Sequence, residues 1–109
     1  MPAAARIVVG RDGRIALVNE LAQRLLGFSE RELLGRNSEE LLAPDARAAH
    51  VMARDAFLAE PYDDGDPLPP GRTDVVTRKG DLLAVRLLPR PLVADDQLWL
   101  SLILRPDSA

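Results

Sequence analysis

The segment of residues 47–60, RAAHVMARDAFLAE, contains His50, the only histidine of the chain. A neutral imidazole can bind a metal ion, or it can simply pack as a polar side chain. The segment has the pattern of one helix, and helical spacing places His50 on a stripe of small and aromatic residues, with Arg54 on another side. The other members of this stripe are Ala46, Ala53 and Phe57. We therefore predict that His50 points partly inward.

The serine and cysteine content of the chain argues against nucleophilic catalysis. Ser29 and Ser38 are predicted to cap helices and Ser101 lies in a predicted strand, so none has a nucleophile motif around it. The absence of cysteine excludes a thiolate metal site and the cysteine adduct of photosensory flavin domains. We expect no enzyme activity, and a flavin cofactor is not favoured.

The aspartates of the YDDGD stretch are the other group with possible ligand chemistry. Asp63, Asp64 and Asp66 offer the oxygen ligands that Ca²⁺ prefers. Their spacing does not match a calcium loop, and the closing glutamate of such a loop is missing. We predict a solvated acidic loop and no metal site.

The length and charge of the chain limit the classes of protein to which it can belong. A chain of 109 residues supports one domain with one core, which we place at residues 1–109 with its core at about 6–105. A formal charge of −3 argues against a nucleic-acid partner, because binding to phosphates requires a surplus of basic residues. No apolar run has spanning length, so we expect a cytoplasmic protein that does not enter a membrane.

The first half of the chain predicts two strands followed by several short helices. Asp12-Gly13 separates two aliphatic runs, which indicates a hairpin with strands at 6–10 and 14–18. Asn19 and Gly27 are suited to cap a helix over 20–26, and Ser29 with Glu32 forms a capping-box pattern. A short helix is predicted from Ser38 to Pro44, and the longest helix runs from there to about residue 59.

The second half predicts a proline-rich acidic loop and three further strands. The stretch EPYDDGDPLPPG cannot form a helix or a central strand. The extended runs are RTDVVTRK, LLAVRLL and QLWLSLILR. Lys79-Gly80-Asp81 predicts a tight first connection, whereas PRPLVADD predicts a looser second one. The order of elements predicts an α+β domain with one antiparallel sheet.

Both faces of the last strands carry apolar residues. Four alternating leucines occupy one face of the final strand, and Trp99 and Ile103 occupy the other. An outer face that met only water would carry polar residues. We therefore predict an interface on the outer face that includes Val8, Trp99 and Ile103.

The chain resembles the PAS family of sensory domains over residues 6–105. The blocks that carry the resemblance are Asp12-Gly13, Asn19, Leu25 to Phe28, Glu32 to Gly35, Leu41-Leu42 and Lys79-Gly80. Its late turn reads RKGD where the family typically has RKDG. The resemblance implies a PAS fold: a five-stranded antiparallel sheet with several short helices and one longer helix on one face. It also implies a small-molecule cavity between sheet and helices.

The position of His50 resembles that of the axial histidine in haem-binding oxygen-sensor members of the family. The resemblance implies that Arg72 would steady a bound ligand, and Phe57 would lie near the cofactor. Haem is therefore one alternative. Against it, the wall that haem sensors supply would here be the acidic, proline-rich YDDGDPLPPGR.

The resemblance implies a sensory module of the kind found in bacterial two-component or transcription regulation. We expect it to bind a small molecule or a partner, to regulate an output domain fused to it or held by a partner, and to form a homodimer through the sheet face. Another alternative is a structural dimerisation module without a ligand.

Overall fold

The computed structural model describes residues 4–59 and 71–107 of the chain. These residues form one five-stranded antiparallel sheet, and the helices lie between the second and third strands along the chain. The strands are β1 (Ala5–Val9), β2 (Ile15–Val18), β3 (Gly71–Val76), β4 (Leu82–Ala94) and β5 (Gln97–Pro106). The helices are α1 (Glu20–Leu26), α2 (Glu30–Leu33) and α3 (Arg47–Ala59), with 3-10 helices at Ser38–Leu41 and Pro44–Ala46. The predicted α+β class, with one five-stranded antiparallel sheet and several short helices, is confirmed.

Capping residues set the ends of the first two helices as the sequence predicts. The Asn19 side chain accepts the backbone N–H of Ala22 at the start of α1, and Gly27 ends the helix with φ 82°. Asn19 also accepts the N–H of Arg6 at 3.0 Å, so one amide joins α1 to β1. The predicted capping box of Ser29 is present at α2.

The strand order is β2-β1-β5-β4-β3, so β5 lies at the centre of the sheet. The tight turn predicted at Gly80 is present: Gly80 has φ 88°, and the N–H of Thr77 bonds to the carbonyl of Asp81 at 2.9 Å.

The connection between β4 and β5 differs from the prediction. We predicted a loose segment over PRPLVADD, and this is wrong, because β4 continues through Pro89 and Pro91 to Ala94. Only Asp95 and Asp96 form the turn, with φ 53° and 58°, which is the conformation of a tight hairpin. Prolines are tolerated here because the described part of β3 pairs with β4 only as far as Leu87, so their missing N–H groups break no ladder on that side.

The two faces of the sheet have different surroundings. The inner face packs against the helices and holds the core, in which Val9, Leu26, Leu33 and Val85 are fully buried. The alternating leucines of β5, Leu100, Leu102 and Leu104, belong to this core. Trp99 and Ile103 therefore lie on the outer face, as the alternation predicts.

Candidate functional site

His50 lies on α3 and faces the first 3-10 helix. The side chain is partly buried, and its Nε2 atom is 3.3 Å from the hydroxyl oxygen of Ser38. Burial lowers the pKa of His50 from its usual value of 6.5, and the positive charge of Arg54 lowers it further. The Glu39 carboxylate acts in the opposite direction. Because burial disfavours the charged form, the imidazole is neutral at pH 7.

Arg54 is the most buried charged residue in the described part of the chain, with 6% of its surface exposed. Its Nη1 atom donates to Oε2 of Glu39 at 2.9 Å, and the Glu39 side chain is 22% exposed. Its Nε atom has no hydrogen-bond partner among the described residues, although Oδ1 of Asp55 is 3.7 Å away. The structure therefore brings a buried ion pair and a histidine together on one side of α3.

Our prediction for Arg54 was wrong. We placed Arg54 on a different side of the helix from His50, yet Arg54 is buried and Ala53 is exposed. The two residues are four apart, which places them on neighbouring turns of the same face. Glu39 supplies the charge that makes the burial possible, and the sequence carried no signal that these distant residues meet.

The guanidinium of Arg54 lies against the turn between β1 and β2. A Cβ atom added at Gly13 would stand 2.1 Å from Nη1 of Arg54, and Gly13 has φ 82°. Glycine is required here for two reasons, backbone conformation and space. The N–H of Ser38 also bonds to the carbonyl of Gly13 at 2.8 Å, so this turn joins α3 and the 3-10 helix.

We had predicted that the hydroxyl of Ser38 caps a helix, and this prediction was wrong. Ser38 is the first residue of the 3-10 helix, and its side chain is directed to His50. Asn37 occupies the cap position and makes no side-chain cap bond. The competing partner explains the difference, because a buried hydroxyl needs a hydrogen bond and the imidazole offers one.

The other two predicted cofactor residues are not brought to His50 by the described structure. Arg72 lies on β3, opposite Arg86, on the outer face, and forms an ion pair with Asp107. The sheet therefore separates Arg72 from His50. Phe57 belongs to α3, but its side chain lies outside the described residues, as does the acidic stretch with the predicted calcium ligands. Within the described ranges, no group of three or more potential metal ligands occurs.

The three predicted interface residues all lie on the outer face. Val8 pairs with Ser101 across β1 and β5, and Ile103 and Trp99 are on the same face of β5. We call the apolar part of this face the outer strip; it consists of Val8, Leu17, Leu88, Leu92, Trp99 and Ile103. Leu17 and Leu92 remain 48% and 42% exposed, whereas Val8 is buried with 6% of its surface exposed. Leu88, Trp99 and Ile103 are partly buried. The strip is thus apolar across four strands on the side opposite the helices, and its exposed area lies mainly at Leu17 and Leu92.

Comparison with known proteins extends these observations. The model of the PAS fold family matches residues 3–105. No curated protein sequence matches the chain significantly. In the described part of the chain, no helix is long and apolar enough to cross a membrane.

Solved PAS domains have the same fold. A PAS domain from Desulfitobacterium hafniense superposes with a TM-score of 0.79 at 12% identity, covering 97% of this chain and 94% of that one. The PAS domain of an HTR-like protein from Haloarcula marismortui has a TM-score of 0.77 at 20% identity, with 94% and 85% covered.

Some of the similar structures contain a bound molecule. The PAS domain of the RpfR quorum-sensing receptor from Cronobacter turicensis, in complex with BDSF, has a TM-score of 0.77 at 17% identity, with 99% and 97% of the two chains covered. These likenesses concern the fold, whereas the family model matches nearly the whole sequence. With its strand order, caps and turns in place, this chain belongs to the PAS family.

Proposed function

We propose that this chain is a sensory domain that takes up a small molecule between the inner face of the sheet and α3. The observation that supports this most is the guanidinium of Arg54. Its Nε–H is buried and has no acceptor among the described residues. A buried donor without an acceptor costs about 1–3 kcal/mol, so a ligand oxygen at this position would recover that free energy.

The charges around Arg54 favour a neutral ligand oxygen over a carboxylate. Glu39 already binds Nη1, and the Asp55 carboxylate is 3.7 Å from Nε. A third carboxylate would be repelled by these two, whereas a carbonyl or hydroxyl oxygen would not. The complex of the RpfR domain with BDSF supports the general idea, because it contains a small molecule bound to the same fold.

The signal would reach an output domain, fused or held by a partner, through the outer strip. A second copy of the chain is one candidate for the strip, as the sequence predicts. A ligand can drive such a change only if it binds one packing of the sheet more tightly than another.

The experiment is a thermal-melting screen with medium-chain alcohols, ketones and fatty acids. We expect some neutral compounds to raise the melting temperature of the wild type, because a ligand that binds only the folded state stabilises it. Arg54→Met should lose this response. Arg24→Met is the matched control, because Arg24 is exposed and its ion pair with Glu20 is on α1. If no compound stabilises the wild type, or if both variants respond alike, the proposal fails.

Haem is the second candidate, favoured by the partly buried His50 on the longest helix. The described geometry does not fit it well, because Nε2 of His50 is engaged with Ser38 and a buried cation lies one turn away. Expression with haem supplied, followed by an absorption spectrum, tests it. We expect no Soret band that depends on His50, and a band that His50→Ala abolishes would establish haem instead.

A structural dimerisation module without a ligand is the remaining alternative. It predicts a dimer at all concentrations tested and no stabilisation by any compound in the screen. Sedimentation and the melting screen together separate it from a sensory domain.

A further inference from the structure

The described side chains of α3, those of residues 47–56, contribute little apolar surface to the core. The only one of them that is buried is the charged Arg54, and Val51 is partly buried. None belongs to the hydrophobic core cluster, whereas α1 supplies the fully buried Ala22 and Leu26. Packing of an apolar face is the usual source of helix stability in a protein. This part of α3 therefore depends more than α1 on polar contacts.

Two polar contacts join α3 to the 3-10 helix at Ser38–Leu41. The hydroxyl oxygen of Ser38 is 3.3 Å from Nε2 of His50, and Nη1 of Arg54 donates to Oε2 of Glu39 at 2.9 Å. We call these two contacts the α3 latch. Ser38 and Glu39 are adjacent, and His50 and Arg54 are one helical turn apart. A movement that breaks one contact therefore disturbs the other.

The charges that face His50 leave little room for a second cation. Burial lowers the pKa of His50, Arg54 lowers it further, and Glu39 acts in the opposite direction. A proton on the imidazole would place two cations one turn apart, and the Glu39 carboxylate would have to serve both. The inward residues of β5, which packs against α3, are leucines. The remaining charged groups of the neighbouring elements have other partners or are exposed: Asp12 with Arg14, Glu40 with Arg36, Asp55 with Arg54, Arg47 with the carbonyl of Leu42, and the exposed Arg11 and Asp45.

Separation of α3 from the 3-10 helix would remove the causes that lower the pKa of His50. The imidazole would return to water and its pKa would rise toward 6.5. The open arrangement therefore binds a proton more tightly than the closed one. A proton that binds one arrangement more tightly shifts the equilibrium toward it.

We propose that the α3 latch is a proton-responsive device, in which uptake of one proton by His50 releases α3 from the 3-10 helix while the sheet stays folded. The proposal concerns the helix itself and goes beyond the proposed function. Because α3 is one wall of the proposed ligand site, acidification would also open that site, and this consequence alone rests on the proposed function.

Hydrogen exchange of single backbone N–H groups, followed by NMR between about pH 5.5 and 7.5, tests the latch. Each rate is divided by the intrinsic exchange rate at the same pH, which gives a protection factor. We expect lower protection in α3 than in β5 at every pH, because the helix opens without the sheet. Protection in α3 should fall below pH 6.5, by at most about 10-fold for each pH unit, because one proton is taken up.

Three variants of the full chain assign the effect. His50→Gln keeps a hydrogen-bonding group toward Ser38 but cannot take up a proton, so protection in its α3 should not fall with pH. Ser38→Ala should lower protection in α3 by about 3- to 10-fold at pH 7.5, because one hydrogen bond of the latch is lost. Ser29→Ala is the matched control: it removes a hydroxyl from the cap of α2 and should leave exchange in α3 unchanged. Circular dichroism verifies that each variant is folded.

The proposal is wrong if α3 and β5 have equal protection, because the helix then opens only when the whole chain unfolds. It is also wrong if protection in α3 does not change with pH in the wild type, or if His50→Gln keeps the wild-type dependence. These measurements contain no ligand, so failure of the ligand screen and failure of the latch are separate outcomes.

Discussion

Arg54 shows how one buried charge depends on a residue distant in sequence. Its guanidinium is nearly inaccessible to water, whereas its partner Glu39 keeps 22% of its side chain exposed. Removal of the two partners should therefore have unequal effects. A buried cation that loses its anion cannot be rehydrated, but a partly exposed carboxylate can.

We expect Glu39→Ala to lower the free energy of unfolding by about 2–3 kcal/mol and Arg54→Met to lower it by less. Methionine fills much of the volume of arginine without charge. Urea denaturation at pH 7 measures both changes. Equal losses would show that the guanidinium has access to water after Glu39 is removed.

His50 should make folding stability depend on pH. Its pKa in the folded chain is lowered from the usual value of 6.5, so the unfolded chain binds more protons between these two pKa values. The free energy of unfolding should therefore fall as the pH drops from about 6.5 to the folded pKa, and this contribution should be constant below it.

The measurement is the urea midpoint of the wild type and of His50→Gln across this pH range. Titration of the carboxylates changes the stability of both proteins by the same amount. The difference between the two curves therefore gives the contribution of the His50 imidazole to the pH dependence of stability. A wild-type curve parallel to that of His50→Gln would contradict the lowered pKa.

At the scale of elements, the turn between β1 and β2 holds the helical layer to the sheet. Its carbonyl at Gly13 accepts the N–H of Ser38, and its surface contacts the guanidinium of Arg54. Gly35 provides a matched comparison. It has φ 83° and no atom within 4 Å of an added Cβ, whereas Gly13 has nearly the same φ and a crowded surrounding.

Gly35→Ala should cost about 1 kcal/mol of stability, the strain of a left-handed backbone alone. Gly13→Ala should cost about 2 kcal/mol more, because the methyl group displaces Arg54 from its ion pair. Thermal and urea unfolding of the two variants test this. If the two losses are the same, the contact with Arg54 does not contribute to stability.

At the scale of the whole molecule, the sheet separates a helix-covered side from a side that carries the outer strip. Leu102 and Ile103 are neighbours on β5 and point to opposite sides. Leu102 is buried in the core, and Ile103 is only partly buried on the outer strip.

Leu102→Asp should unfold the chain or cost more than about 4 kcal/mol, because a carboxylate would replace a core leucine. Ile103→Asp should retain the fold with a loss of about 1–2 kcal/mol, because Ile103 is only partly buried although it lies on the central strand. Circular dichroism melting compares them. A large loss for Ile103→Asp would indicate that the outer strip is covered within the chain itself.

Local chemistry explains why so much of the fold is predictable from the residues. Asn19, Gly27 and the Ser29 capping box act on their own backbone neighbours, and alternation along β5 assigns Trp99 to the outer face wherever the sheet forms. The position of His50 on a long helix follows from the same kind of pattern.

Contacts between distant segments were decided by packing in three dimensions. The burial of Arg54 depends on Glu39, fifteen residues away and on another element. The extension of β4 through its prolines depends on the described part of β3, which pairs with β4 only as far as Leu87. Arg72, Arg86 and Arg105 come to lie in one row only once three strands align in register. Local patterns cannot specify such pairings, because a charge or a proline is tolerated only according to what folding brings beside it.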